Sequence, residues 1–158
     1  MTTPLQIDRN TGHVHVAGSL ITPATTPEQL GAGFQIGDSR PVLIGDREVP
    51  CRFARIGLQE GRLGIDLSLR FESEQLVSLF IELTDPSIPT GSDDDFYASI
   101  PLREKLHQRW LGEQLGKLDK LDGTLALFPW GTTGVARDKS ENVFIYLHNR
   151  NNSWVFGD

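Results

Sequence analysis

The chain has 158 residues, of which 38% are hydrophobic and 23% are charged, a composition typical of a soluble folded domain and not of a disordered chain. Its net charge of −6 argues against nucleic-acid binding, because phosphate contacts require clustered Lys and Arg and the 15 basic residues here are scattered. No apolar run could span a membrane and no secretory signal opens the chain, so we expect a single cytoplasmic domain over residues 1–158.

The N-terminal segment predicts a hairpin and then a short helix. Residues 5–7 and 13–16 flank residues 8–12, whose Asn and Gly favour turn conformations. Farther along, Thr26 can cap a helical turn in which Pro27 occupies the first position. We therefore expect two paired strands followed by one short helix.

The middle of the chain predicts an antiparallel meander. Residues 42–44 and 48–56 surround a tight turn at Gly45, and apolar and polar side chains alternate along residues 62–71. A two-residue period indicates a strand with one wet face. The side chains expected to point inward are Leu63, Ile65, Leu67, Leu69 and Phe71.

The next predicted strand, residues 76–84, carries apolar side chains on both faces. Its odd-numbered positions continue the alternation, whereas Leu76 and Phe80 lie on the opposite face. A second apolar face leaves open a structural or oligomerising role, because exposed apolar patches mark interaction sites.

An irregular, acidic segment follows over residues 85–99, where proline and glycine disfavour regular structure. It contains three consecutive carboxylates and two aromatic rings, Asp93, Asp94, Asp95, Phe96 and Tyr97. Because consecutive carboxylates repel one another, we interpret it as a solvated loop before a helix. A cation site and an acidic recognition loop are the alternatives.

The main helix is predicted over about residues 99–118, with Ser99 as its cap and Pro101 in its first turn. Its apolar stripe consists of Leu102, Leu106, Trp110, Leu111, Leu115 and Leu118. Trp110 lies on this stripe and is therefore expected to anchor the core, while Arg103 is assigned to the opposite, polar face.

The C-terminal third predicts further strands. Residues 125–128 form one strand, Pro129 bends the chain, and Trp130 lies at the strand's end. Residues 143–148 and 154–156 are predicted to pair with each other as the last two strands. The predicted fold is α+β: an antiparallel sheet of about seven or more strands, one main amphipathic helix packed on it, and a short N-terminal helix.

No pattern in the chain matches a catalytic, metal or cofactor site. His13 and His15 can share one strand face, but no third zinc ligand accompanies them. The single cysteine, Cys51, lies in a strand pattern and is interpreted as a small core residue. Neither a serine-hydrolase elbow nor a phosphate-binding Walker loop is present. We therefore predict no catalytic residue, no metal and no cofactor.

The order of elements resembles small bacterial proteins of unknown function, some of which resemble polymorphic-toxin immunity proteins. The residues that carry this resemblance are the segment 26–30, His107 and Trp110 on the helix, the segment 128–131, and Asp138. The chain departs from the family pattern in having no tyrosine shortly before Asp138. The resemblance implies a protein that works by binding, with no catalytic residues to transfer.

The preferred functional hypothesis is a non-enzymatic protein-binding domain. Its acidic charge favours a basic partner, such as a toxin domain that it would neutralise. Aromatic residues rimmed by charge are favoured at interfaces. The predicted contact residues are Asp93, Asp94, Asp95, Phe96, Tyr97, Trp130 and Trp154.

Two alternatives belong to other classes. In the first, an enzyme or small-ligand carrier has a pocket between sheet and helix, lined by residues such as His107, His13 or Glu82. In the second, the apolar face around Leu76 and Phe80 serves assembly. The sequence does not fix the oligomeric state.

Overall fold

The computed structural model describes residues 4–116 and 125–157, which form two antiparallel sheets and three α-helices. The smaller sheet has three strands in sequential order, β1 (Leu5–Ile7), β2 (Val14–Val16) and β3 (Ser19–Ile21). The predicted first hairpin is thereby confirmed, and β3 was not predicted. A 3₁₀ turn at Pro27–Gln29 follows at the predicted short helix, where the Gln29 side chain accepts a hydrogen bond from the Thr26 N–H at 3.0 Å.

The larger sheet has eight strands and confirms the predicted α+β class. In chain order its strands are β4 (Gln35–Ile36), β5 (Arg40–Ile44), β6 (Arg47–Glu60), β7 (Leu63–Glu72), β8 (Gln75–Thr84), β9 (Leu125–Phe128), β10 (Gly131–Arg137) and β11 (Val143–Asn149). They lie in the order β4-β6-β7-β8-β11-β10-β9, with β5 also paired to β6. Thus β6, β7 and β8 form the predicted meander, whereas β11 inserts between β8 and β10.

Tight turns fix the register of the meander. The β7–β8 turn consists of Ser73 and Glu74, whose φ angles of +52° and +65° are the left-handed values of a hairpin turn that matches strand twist. The β5–β6 turn contains Gly45 at φ +62°, a conformation that glycine adopts without steric cost. The β7–β8 turn pairs Glu72 with Gln75, and a β-bulge at Arg70 and Phe71 then shifts the pairing by one residue, which places Asp66 opposite Glu82.

The inner face of the large sheet carries the core. One row across the strands consists of Ile56, Leu67, Ile81, Ile145 and Val135, all buried. Of the predicted inward positions on β7, Leu63 is half-buried and the four that follow are at most 1% exposed. The small sheet contributes Leu5, Ile7, Val14, Val16 and Ile21 to the same cluster.

Helix α2 (Ile100–Leu115) covers this inner face through Leu106, Trp110, Leu111 and Leu115. The expectation that Trp110 anchors the core is confirmed, since only 6% of it is exposed. Leu102 was wrongly placed on the stripe: it is 52% exposed, because the buried face is rotated toward His107. Leu118 lies outside the described residues.

His107 joins α2 to the end of β8. Its Nδ1 donates to the Arg103 carbonyl oxygen at 2.7 Å, and its Nε2 accepts from the Leu83 N–H at 3.0 Å. Both ring nitrogens are used in the neutral form, and burial lowers the pKa of His107. The imidazole therefore acts as a neutral link between helix and sheet.

The acidic segment was wrongly interpreted as a loop, since Asp93–Ala98 forms helix α1. Ser92 caps it, its Oγ accepting from the Asp95 N–H at 3.1 Å. Three carboxylates in the first turn are stabilised by the positive end of the helix dipole, which outweighs their mutual repulsion.

The predicted terminal strand is also wrong, because Ser153–Phe156 forms the short helix α3. Asn152 caps it by accepting from the N–H groups of Trp154 and Val155 at 3.1 and 3.3 Å. Both sides of β11 are already paired, to β8 and to β10, so no partner position remains for a last strand.

Pro129 and Trp130 form the turn between β9 and β10. Gly131 follows because a Cβ atom there would collide with the carbonyl oxygen of His148 on β11. The predicted end of a strand is therefore the corner of a hairpin.

We expect His107→Leu to lower the free energy of unfolding at pH 8 by about 1–3 kcal/mol, because the buried Leu83 N–H loses its acceptor. The wild type should also lose stability as the pH falls below about 6.5, where the unfolded histidine gains a proton that the folded one resists. Chemical denaturation at several pH values measures both effects. The free energy of unfolding of His107→Leu should fall less steeply with decreasing pH than that of the wild type. The control His15→Leu, at an exposed strand position, should show the same pH dependence as the wild type.

Candidate functional site

The outer face of the large sheet, opposite α2, carries a depression that we call the outer groove. It has a volume of about 320 Å³ and is lined by Asp66, Ser68, Phe80, Ile81, Glu82, Asp138, Asn142 and Phe144. The strand register places these residues there: Asp66 and Ser68 alternate with the buried residues of β7, and Phe80 and Glu82 alternate with those of β8.

Two carboxylates face each other across the ladder of the outer groove. Asp66 on β7 lies directly opposite Glu82 on β8, and Gly57 on β6 lies opposite Asp66. Like charges at directly opposite positions destabilise a sheet. Among the ion pairs of residues 4–116 and 125–157, none involves either carboxylate.

The electrostatic environment disfavours the charge on Glu82. Partial desolvation raises the pKa of its carboxyl although the residue is exposed, the nearby Asp66 and Asp138 carboxylates raise it further, and Arg103 acts in the opposite direction. Glu82 is therefore a carboxylate that a cation in the groove would stabilise.

Asp138 supplies a fixed negative charge at the rim. Its Oδ1 accepts from the N–H groups of Ser140 and Asn142 at 2.8 and 3.0 Å, and its Oδ2 accepts from Asn142 Nδ2 at 3.1 Å. The hydrogen bonds from Asn142 lower the pKa of Asp138. This carboxyl consequently stays ionised when Glu82 is protonated.

Aromatic rings continue the outer face beside the carboxylates. Phe80 meets Phe144 edge-on, with ring centroids 5.9 Å apart, and meets His148 at 6.2 Å. Tyr146 stacks on His148 at 4.8 Å. All four rings, which we call the aromatic band, are half-buried. Phenylalanine and tyrosine side chains are enriched at protein–protein interfaces.

His148 is held at the end of the band by the α3 cap. Its Nδ1 lies 2.7 Å from Ser78 Oγ, to which Asn152 Nδ2 also donates at 3.0 Å. Burial lowers the pKa of His148, with a smaller effect from Arg70. A serine next to a histidine can act as a nucleophile, but Ser78 is only 1% exposed and so is not accessible to a substrate. We therefore assign this contact to structure.

Arg103 fixes α1 next to the outer groove. Its guanidinium donates to Ser99 Oγ, to the Glu141 carbonyl oxygen and to the Phe96 carbonyl oxygen at 2.8, 2.9 and 3.1 Å. It also lies 4.4 Å from the centre of the Phe96 ring. Arg103 was predicted on the solvated face, but it joins α1, α2 and the β10–β11 turn. Phe96, Glu82 and Asn142 line an adjoining groove of about 300 Å³.

The predicted contact residues lie at three places in the fold. Asp93, Asp94, Asp95 and Tyr97 are exposed on α1, and Phe96 is half-buried under Arg103. The structure brings this helix beside Glu82, so the acidic segment and the outer groove are neighbours.

The two tryptophans lie elsewhere. Trp130 is half-buried: it stacks on Phe128 with centroids 4.8 Å apart and donates to the Arg9 carbonyl oxygen at 2.8 Å. Trp154 is 56% exposed on α3, next to Gly45 in the β5–β6 turn. Trp154 is thus available to a partner, whereas Trp130 holds the N-terminal hairpin.

The residues of the pocket hypothesis do not share a pocket. His107 is buried with both ring nitrogens bonded, His13 is half-buried at the β1–β2 turn, and Glu82 lies on the outer face. Leu76 is buried and so is not free for assembly, and Phe80 belongs to the aromatic band. Cys51 is buried, as predicted.

Two kinds of structural feature are absent from the described ranges. In residues 4–116 and 125–157, no group of three or more His, Cys, Asp or Glu side chains is arranged to hold a metal ion. No helix there combines the length and apolar character needed to cross a membrane.

Asp66, Asp138 and Phe144 were not among the predicted contact residues. The alternation in residues 62–71 already assigned Asp66 to the wet face, and the same alternation places Phe144 between buried Val143 and Ile145. The pairing of β8 with β11, which brings these positions together, was not predicted.

Comparison with known proteins gives one likeness in fold. No family model and no curated protein sequence matches the chain. The structure is similar to a chain of the solved complex "Rhs1-CT in complex with cognate immunity protein RhsI1", with a TM-score of 0.54 and 17% identity over 93% of this chain and 88% of that chain. At this identity the likeness concerns the fold alone, and it extends over most of both chains.

We expect Glu82→Gln to raise the free energy of unfolding at pH 7 by about 0.2–1 kcal/mol, because it removes a like-charge contact with Asp66. Because the pKa of Glu82 is raised in the folded protein, its ionised carboxylate lowers the free energy of unfolding fully at high pH. This loss of stability disappears as the pH falls toward about 4.3, the ordinary pKa of a glutamate side chain. Urea denaturation at pH 7 and pH 4.5 measures this difference. Glu113→Gln, on the exposed side of α2, is the matched control; an equal gain there would contradict the contact.

Proposed function

We propose that this chain is a non-enzymatic bacterial protein that binds a basic protein partner through the outer groove. The partner we propose is a toxin domain, which the chain neutralises in the cytoplasm as an immunity protein. The observation that carries the proposal is the Asp66–Glu82 pair, two carboxylates held opposite each other without an ion pair among the described residues.

Electrostatics favours a cationic ligand at this place. An isolated fold gains nothing from two facing carboxylates, and a positive side chain between them would convert a repulsive contact into charge-assisted hydrogen bonds. The aromatic band provides the apolar area that an interface needs beside its charges. Helix α1 extends the negative surface through Asp93, Asp94 and Asp95.

The fold likeness supports the same proposal independently of the groove. A chain of the Rhs1-CT and RhsI1 complex shares this architecture over most of its length. That complex joins a protein with its cognate immunity protein, and blocking a partner by binding needs no catalytic residues.

The direct test starts with the gene immediately upstream of this one, which we expect to encode a large secreted protein with a toxic C-terminal domain. We expect that domain to stop bacterial growth alone, to be harmless when this chain is co-expressed, and to bind it in isothermal titration calorimetry. Asp66→Asn and Glu82→Gln should each weaken binding at least tenfold, about 1.4 kcal/mol, because each removes a charge from the contact.

Matched controls are Asp38→Asn between β4 and β5 and Glu113→Gln on α2, which remove the same charge at other exposed positions. Equal weakening by the controls would show that overall charge, not the outer groove, drives binding. A toxin domain that remains lethal in the presence of this chain would contradict the immunity role.

Helix α1 should act on the rate of association. Replacing Asp93, Asp94 and Asp95 together by Asn should slow association on the order of tenfold at low salt and have little effect at high salt, with dissociation unchanged, because exposed charges steer encounter. Stopped-flow measurements with the same toxin domain at several salt concentrations give both rates.

The exposed indole of Trp154 is a second contact that we propose. Trp154→Ala should therefore speed dissociation of the complex in the same measurements.

A further inference from the structure

We propose that the outer groove binds an arginine side chain of the partner, with the guanidinium against Phe80 and Phe144 and its N–H groups on Asp66 and Glu82. This inference rests on the proposed function and names the chemistry that the groove selects.

The geometry brings ring and carboxylate to one space. Glu82 and Phe80 lie two residues apart on β8, so their side chains project from the same face of the sheet. Asp66 from β7 and Phe144 from β11 flank them, and all four line the outer groove. A planar cation placed there touches an apolar surface and two acceptors at once.

The carboxylates alone would attract any cation, and the aromatic pair makes the site selective. Phe80 and Phe144 are packed edge to face, which fixes their orientation and leaves both half-exposed toward the groove. A guanidinium is planar and weakly hydrated, stacks on aromatic rings and donates two parallel hydrogen bonds to a carboxylate. A lysine ammonium is compact and strongly hydrated, and it loses more hydration on contact with the rings.

The chain places arginines against phenylalanine rings within its own fold. Arg103 lies 4.4 Å from the centre of the Phe96 ring, and Arg150 lies 4.3 Å from that of Phe156. Arg103 is near enough to act on Glu82, but its guanidinium donates to Phe96, Ser99 and Glu141. Arg55 on β6 lines a neighbouring depression with Asp66 and Glu82, but among the described residues it forms no ion pair with either carboxylate. The arginine that we propose to bond both carboxylates comes from a partner.

The groove also has room beside Asp66. Its neighbour on β6 is Gly57, and a Cβ atom at that position would lie 3.5 Å from Asp66 Oδ1. The missing side chain leaves Asp66 open to a ligand from the β6 side.

The test uses small probes and needs no partner protein. N-acetyl-arginine amide, N-acetyl-lysine amide and N-acetyl-citrulline amide are titrated into the full chain, and NMR follows the Glu82 carboxyl carbon and the Phe80 ring. We expect saturable shifts with the arginine probe, at least threefold weaker binding of the lysine probe, and none of the uncharged citrulline probe. Saturation with arginine should also lower the pKa of Glu82, an effect that a purely structural role would not produce.

Phe80→Leu keeps an apolar side chain and removes the ring, so it should abolish the preference for arginine over lysine. Glu82→Gln should weaken the arginine probe at least threefold, while Glu113→Gln should leave it unchanged. Equal binding of the lysine and arginine probes, or no saturable shift at the groove, would overturn the inference.

The two proposals fail separately. A toxin domain that binds Phe80→Leu and the wild type equally well would overturn the arginine site and leave the immunity role standing. Arginine-selective binding at the groove together with no toxin binding by the wild type would overturn the immunity role and leave the arginine site standing.

Discussion

The two-residue alternation along β7 and β8 is the constraint on which the rest of the structure depends. One register places Leu67 opposite Ile81 and Asp66 opposite Glu82, so it fixes the core and the charged outer face together. A slip by one residue would move carboxylates into the core and leucines into water, which excludes neighbouring registers. Helix α2 and the small sheet then cover the apolar face.

The Asp66–Glu82 pair in the outer groove lowers the stability of the isolated fold. Glu82 opposite a lysine or threonine would stabilise the sheet, yet it faces Asp66 and lies near the hydrogen-bonded Asp138. Violations of this kind are expected at functional sites, where the side chains are selected for a ligand and not for the isolated fold. The sheet remains stable despite this repulsion, because its opposite face is continuously apolar and buried.

Two local predictions were wrong because interactions outside the residue pattern, namely strand pairing and helix capping, determined the structure. Trp154, Val155 and Phe156 have high strand propensity, but β11 offers no free edge and Asn152 caps a helix instead. A loop was predicted for the acidic segment because only the mutual repulsion of its carboxylates was considered. The Ser92 cap and the helix dipole stabilise these residues as the first turn of α1.

The sequence by itself determined most of the side chains that lie inside, although not Leu76 or Leu102. The inward row of β7 and the position of Trp110 follow from periods of two and 3.6 residues, which are written locally in the chain. Only the tertiary structure decided which side chains meet. Arg103 bonds a carbonyl group 38 residues away, and the outer groove exists because β11 inserts beside β8 and brings Phe144 to Phe80. Such pairings depend on how distant segments share one buried face, which local periodicity does not encode.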